Sequence, residues 1–202
     1  MFTHIGIRPM DTNEKQFLEL VIAKRALLFG DFTLKSGIKS NVFFNIAALN
    51  DGEALAQLGI HYANMIMKSN IEFDMIFGPA YKGIHLASAV AIALATHHNK
   101  NIPFAFNRKE TKTHGEGGNI IGADIKGRVL IIDDVITKGT ACKEAITYIK
   151  IAGANPVALA VAIDRQERCD TNKTTAAETI SYEFNIKIIS ISNMQKIKAN
   201  AP

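Results

Sequence analysis

The feature that most constrains this chain is a change of rhythm near residue 73. From there, short apolar runs of strand length alternate with stretches of helical length. Strands are predicted over 73–77, 103–106, 128–132, 156–163 and 186–190. Helices are predicted over 83–98 and over 140–151, the second closed by Gly153. Strands joined through helices imply an α/β fold with a mostly parallel sheet covered on both faces. In such sheets ligands bind beyond the carboxyl ends of the strands, so the informative residues should follow them.

Before that point the pattern differs. Asp11 and Glu14 have capping-box spacing, and Phe17, Leu18, Val21 and Leu28 follow at helical intervals, predicting a first helix that runs to Gly30. Phe32-Thr33-Leu34 and Val42-Phe43-Phe44 flank Ser36-Gly37, as in a hairpin or two short strands. Asp51 opens a second helix with Leu55, Leu58, Tyr62, Met65 and Ile66 on one side. One stretch, 108–124, is polar and Gly-rich without periodicity. A loop that long inside a compact domain is usually functional or disordered.

Composition excludes several classes. Apolar residues make up 48% and charged residues 21% of 202 residues, ordinary for one folded domain and unlike a disordered tail. The balance of 23 Lys and Arg against 19 Asp and Glu gives +4, which suits a nucleic acid or a pocket for small anions. The basic residues are scattered and Trp is absent, which favours the pocket, so no nucleic-acid partner is expected. Cys142 and Cys169 are isolated and are expected to be reduced thiols. No apolar stretch follows a basic N-terminus, and apolar runs such as 89–95 are too short to span a bilayer. The expectation is a soluble cytoplasmic protein with no membrane partner.

The strongest chemical signal is the run from Val129 to Ala141. Four apolar residues lead into Asp133-Asp134-Val135-Ile136-Thr137-Lys138-Gly139-Thr140-Ala141, an acidic pair and then a small-residue loop that opens a helix. Backbone N–H groups at a helix N-terminus, with Gly139 allowing close approach, make a phosphate cradle, and Thr137 and Thr140 add hydroxyl donors. The two carboxylates suit sugar hydroxyls, directly or through hydrated Mg²⁺. Phosphate on the loop and diol on the acids describe a ribose 5-phosphate. A receiver-like acidic pocket or a plain capped turn would account for parts of this order, but neither accounts for the whole. No Walker loop is present.

This run resembles the phosphoribosyl-diphosphate (PRPP) motif of type I phosphoribosyltransferases. Further segments narrow the resemblance to the orotate phosphoribosyltransferase family: Phe32 to Gly37, Phe43-Phe44-Asn45, Phe77 to Gly83, Phe106 to Glu110, His114 to Gly118, and Asp164 to Arg168. The match runs from about Glu14 to Ile191. It implies the type I fold, a Rossmann-like sheet in a single domain over 1–202, with residues 1–50 as an N-terminal α/β hood and 108–124 as a lid loop. It also implies a homodimer that joins orotate to PRPP, giving orotidine 5′-monophosphate and diphosphate in pyrimidine synthesis. Mg²⁺ would be held mainly through PRPP and water, with no direct protein ligand.

Each segment carries its own chemistry. Gly78 to Gly83 can fold amides around an anion, and alone it is also a plain Gly-Pro turn. The resemblance makes it the diphosphate loop, where Tyr81 and Lys82 contact PRPP and the peptide before Tyr81 is often cis. Arg108, Lys109, Lys112 and His114 put cations on the long loop. By resemblance they close over the diphosphate and take part in catalysis with Asp133 and Asp134, with Lys109 reaching into the partner subunit's site. Orotate is a planar carboxylate, so its recognition calls for cationic donors and an apolar wall. Arg165 can supply a bidentate fork, or instead an ion pair with Glu167 or Asp164. Phe43 and Phe44 can wall the ring or belong to the core. Lys35 can reach PRPP or the orotate edge, and Thr137 lies by both substrates.

Departures from the family pattern are local: Ser40-Asn41-Val42 before the Phe pair, Ile46-Ala47-Ala48, and Lys138 in the phosphate loop. Two rival readings share the PRPP motif. A purine or other pyrimidine phosphoribosyltransferase fits less well with Lys35, Phe43-Phe44 and Arg165. A PRPP-sensing regulator would need a DNA-binding module and could dispense with the lid cations.

Overall fold

The structure is a computed structural model that describes residues 9–33, 39–109, 119–137, 139–167 and 174–201. Helix α1 spans Thr12–Ala23, and the Asp11 carboxylate caps it by accepting the Glu14 N–H at 2.9 Å. It stops well short of Gly30. Arg25 takes a left-handed φ of 56° and the Ala26 N–H turns back onto the Val21 carbonyl at 2.8 Å, which closes the helix. The residues beyond form β1 (Leu27–Thr33), antiparallel to β2 (Lys39–Phe44), with a bulge between Phe29 and Phe32. Leu28 therefore lies opposite Phe43 in a ladder, and its helical spacing is a coincidence of phase.

A short 3-10 turn, Ile46–Ala48, leads to α2 (Gly52–Lys68), capped as expected by Asp51. Then come β3 (Met75–Gly78), α3 (Lys82–His98), β4 (Phe104–Asn107), β5 (Ile120–Gly122), β6 (Arg128–Ile136), α4 (Thr140–Ile151), β7 (Asn155–Asp164), α5 (Ala176–Phe184), β8 (Lys187–Asn193) and α6 (Met194–Ala199). Six strands make one sheet in the order β5-β4-β3-β6-β7-β8, parallel except for the antiparallel edge strand β5. β5 falls inside the stretch expected to be loop. α5 and α6 also go beyond the sequence reading.

Alternate residues of β6 enter different cores. Leu130 and Ile132 pack with α1, α2 and α3, and Val129 and Ile131 pack with α4 and α5. Both faces of the central strand are thus covered, as its continuous apolar run requires. The chain leaves β3 for β4 on one side of the sheet and returns to β6 on the other. That reversal opens a crevice at the carboxyl ends of β3 and β6. Among the described residues no helix is long and apolar enough to cross a membrane.

Candidate active site

A cleft of about 990 Å³ lies over this crevice. Its floor is the end of β6, which runs four residues further than expected because β7 pairs with it as far as Ile136 opposite Asp164. Asp133, opposite Val161, and Asp134 are therefore strand residues, fixed by the sheet rather than carried on a loop. Behind them the fully buried Tyr62 of α2 donates its hydroxyl to the Asp133 carbonyl at 2.7 Å. The Asp133 side chain accepts the Asp134 N–H at 2.9 Å. Burial first, and then the neighbouring charge of Asp134, push the Asp133 carboxyl up to about 7. Val135 and Ile136 complete the strand. The Ile136 side chain is buried in the core, so only its backbone is free to serve a ligand.

Thr137, Gly139, Thr140 and Ala141 line the cleft as expected. Gly139 takes φ +74°, and a Cβ there would come 2.0 Å from Cδ1 of Ile180, so the loop is drawn tight against α5. No side chain caps α4, which leaves its first amides available to an anion.

The facing wall is the β3–α3 loop. A Cβ on Gly78 would lie 2.0 Å from the Gly83 carbonyl oxygen, so the turn closes backbone against backbone. The Ala80–Tyr81 peptide is cis, as the family resemblance implied, and Tyr81 is 67% exposed in the cleft. The Lys82 ammonium reaches Asp134 at 2.5 Å, tying this turn to the end of β6. Buried Asn107, at the end of β4, accepts the Ala80 N–H at 2.9 Å and donates to the Arg108 carbonyl at 3.2 Å. It clamps this loop to the root of the 108–124 stretch. That root is itself closed by the Arg108 N–H on the Asn119 carbonyl, at 2.7 Å.

The described lining includes Lys109, whose ammonium sits 5.9 Å over the Tyr81 ring, but not the Arg108 side chain. Phe43 is 39% exposed and stacks at a tilt on Phe32, while Phe44 packs partly into the core; both line the cleft. Arg165 also lines it, and it pairs there with Glu167 rather than Asp164. Lys35, Lys112, His114 and Lys138 lie outside the described residues. Tyr62 and Asn107 are contributors to which the sequence reading gave no role, while Glu167 entered it only as an alternative ion-pair partner of Arg165, the pairing the structure shows. Asn107 had a signal in its place beside Arg108 in a quoted segment, and Glu167 had one in its place two residues after Arg165.

Two tight loops, an acidic pair at a strand end and two phenylalanines meet in one crevice, the arrangement that a phosphorylated sugar and a second, planar substrate would require. Residues 45–192 match the Phosphoribosyl transferase domain, and the chain belongs to that family. Its place is on the orotate branch. It is 50% identical to the orotate phosphoribosyltransferase of Saccharophagus degradans over 93% of this chain and 88% of that one. It is 46% identical to that of Klebsiella pneumoniae over 94% and 89%. A crystal structure of the Francisella tularensis orotate phosphoribosyltransferase superposes with a TM-score of 0.83 at 40% identity, covering 93% of this chain and 92% of that one.

Proposed function

We propose that this chain transfers the phosphoribosyl group of PRPP to orotate, giving orotidine 5′-monophosphate and diphosphate for pyrimidine synthesis. The observation that carries the reading is the meeting, in one cleft, of the Asp133–Asp134 strand end, the Thr137–Ala141 loop, the Tyr81–Lys82 loop and Arg165. The ribose 5-phosphate sits on the loop and uncapped start of α4, and its hydroxyls on Asp133 and Asp134. The diphosphate lies towards Tyr81, Lys82 and the partner subunit's Lys109. The orotate ring stands against Phe43 and Phe44, with its carboxylate on Arg165.

In the reaction the bond from ribose C1 to the diphosphate breaks, a bond from C1 to a ring nitrogen of orotate forms, and the proton of that nitrogen passes to the released diphosphate. Positive charge gathers at C1 and negative charge on the leaving group, so no protein nucleophile is required. Lys82 and the partner subunit's Lys109 stabilise the departing charge, and closure of the site keeps water from C1.

The donor set fits Mg²⁺ carried in on the diphosphate. Among the described residues no three of His, Cys, Asp and Glu converge as an ion cage, and Asp134 is engaged by Lys82. Asp133 and Asp134 would hold the ion through water, and it would supply charge neutralisation at the diphosphate. The reading includes a cytoplasmic homodimer, one domain per chain, in which residues 1–50 hood the cleft and Lys109 serves the partner subunit's site. Diphosphate release with PRPP and, in parallel, orotate, adenine, hypoxanthine or uracil tests the activity. Orotate alone should support turnover, and release with a purine and not with orotate would overturn the reading.

A further inference from the structure

Arg165 leaves β7 in a turn held by its neighbours. The Asp164 carboxylate accepts the Gln166 N–H at 2.9 Å, and Gln166 takes a left-handed φ of 52°. The Gln166 side-chain oxygen in turn accepts the Gln195 N–H at 2.9 Å, at the start of α6. With Gln166 anchored elsewhere, Arg165 and Glu167 both face the cleft and meet there. Nη2 of Arg165 lies 2.7 Å from Oε1 of Glu167, and the side chains are only 17% and 29% exposed.

The pairing is incomplete. Nε and Nη2 share one edge of the planar guanidinium, spaced to hold both oxygens of a carboxylate. Glu167 engages Nη2, while Nε is buried with no acceptor among the described residues. A buried donor without a partner requires a reason in a native structure. A free carboxylate lying flat on this edge would satisfy both donors, but only after Glu167 gives up Nη2.

We propose that Glu167 is a built-in stand-in for the substrate carboxylate, holding Arg165 while the base site is empty and exchanging with that carboxylate on binding. The nucleotide product carries the same group, so Glu167 also competes for Arg165 when the product leaves. Between turnovers it keeps the half-buried cation compensated. The inference rests on the reading of Arg165 as the base-side cation. It makes Glu167 a specificity-determining residue that weakens carboxylated ligands selectively, the opposite sign from a neighbour that merely orients Arg165.

Two nucleotides isolate the effect, because orotidine and uridine 5′-monophosphates differ only in the carboxylate. Calorimetric titrations of each, and of Mg–PRPP, are made with the parent protein, Glu167→Gln, Glu167→Ala and Arg165→Ala. In both Glu167 variants the Kd for orotidine 5′-monophosphate should fall roughly three- to tenfold, the scale of a half-buried ion pair removed from competition. The Kd for uridine 5′-monophosphate and for Mg–PRPP should stay within about twofold. Weaker or unchanged binding of the orotidine nucleotide overturns the exchange. Equal tightening of both nucleotides overturns it too, since the cause would then be the loss of a negative charge from the cleft at large. Arg165→Ala separates the two readings. It should abolish the preference for the carboxylated nucleotide, and if that preference survives, the assignment of Arg165 itself fails whatever Glu167 does.

Discussion

At the end of β6 the carboxyl of Asp133 is largely buried beside Asp134, and the Tyr62 hydroxyl fixes the carbonyl behind it. Its titration moves from 3.8 up to about 7 on folding. Between those values the folded chain holds a proton that the unfolded chain has released. This contribution to stability is therefore fully present below about pH 4 and is lost as the pH rises through about 7. Asp133→Asn keeps the acceptor for the Asp134 N–H and removes the ionisation. Its melting temperature should exceed the parent's by roughly 5 °C at pH 8, with the gap closing towards pH 4. A gap that is the same at every pH would refute the buried-charge account. The same variant should bind Mg–PRPP more weakly, because a carboxylate that suits sugar hydroxyls when ionised has been replaced by an amide. Higher stability with poorer binding is the expected signature of a strained functional residue.

Among the elements, the β3–α3 turn is the most tightly determined. A methyl on Gly78 would meet the Gly83 carbonyl oxygen at 2.0 Å and the Ala87 Cβ at 2.8 Å, and neither atom can swing aside. Gly78→Ala should cost about 3 kcal/mol or more, read from the urea midpoint. Gly52→Ala, at the start of α2 with nothing within 4 Å, should be neutral or slightly stabilising. Similar losses in both would refute the close-approach argument. This turn was legible in advance because its signal is local, a buried run followed by Gly-Pro. The same holds for the Asp11 and Asp51 caps and for the acidic pair with its loop. β5 was not legible, since three residues acquire strand character only by pairing with β4. α5 carried its signal unread, as Thr175 and Glu178 form a capping box. Within the site, Asn107 bonds across 27 positions and Tyr62 across 71, distances over which no spacing rule operates.

For the whole molecule, the proposed homodimer turns on which subunit's site Lys109 serves. In the single chain its ammonium sits 5.9 Å over the exposed Tyr81 ring, a contact of about 0.5–1 kcal/mol that leaves the side chain free to reach elsewhere. Asp133, in the sheet ladder, can serve only its own cleft. This difference makes a complementation test possible. Lys109→Ala alone should lower turnover roughly 10²- to 10³-fold, as for losing a charge that stabilises the transition state. Asp133→Asn should be nearly inactive. When the two variants are mixed and subunits exchange, about half of the dimers are mixed by random pairing. In each mixed dimer one site carries both lesions, and the other combines an intact Asp133 with the partner subunit's intact Lys109. About a quarter of all sites should then recover activity. Were Lys109 to work over its own Tyr81, every site would keep one lesion and the mixture would stay inactive. Native mass spectrometry confirms the exchange, so an exchanged but inactive mixture decides for the single-chain arrangement.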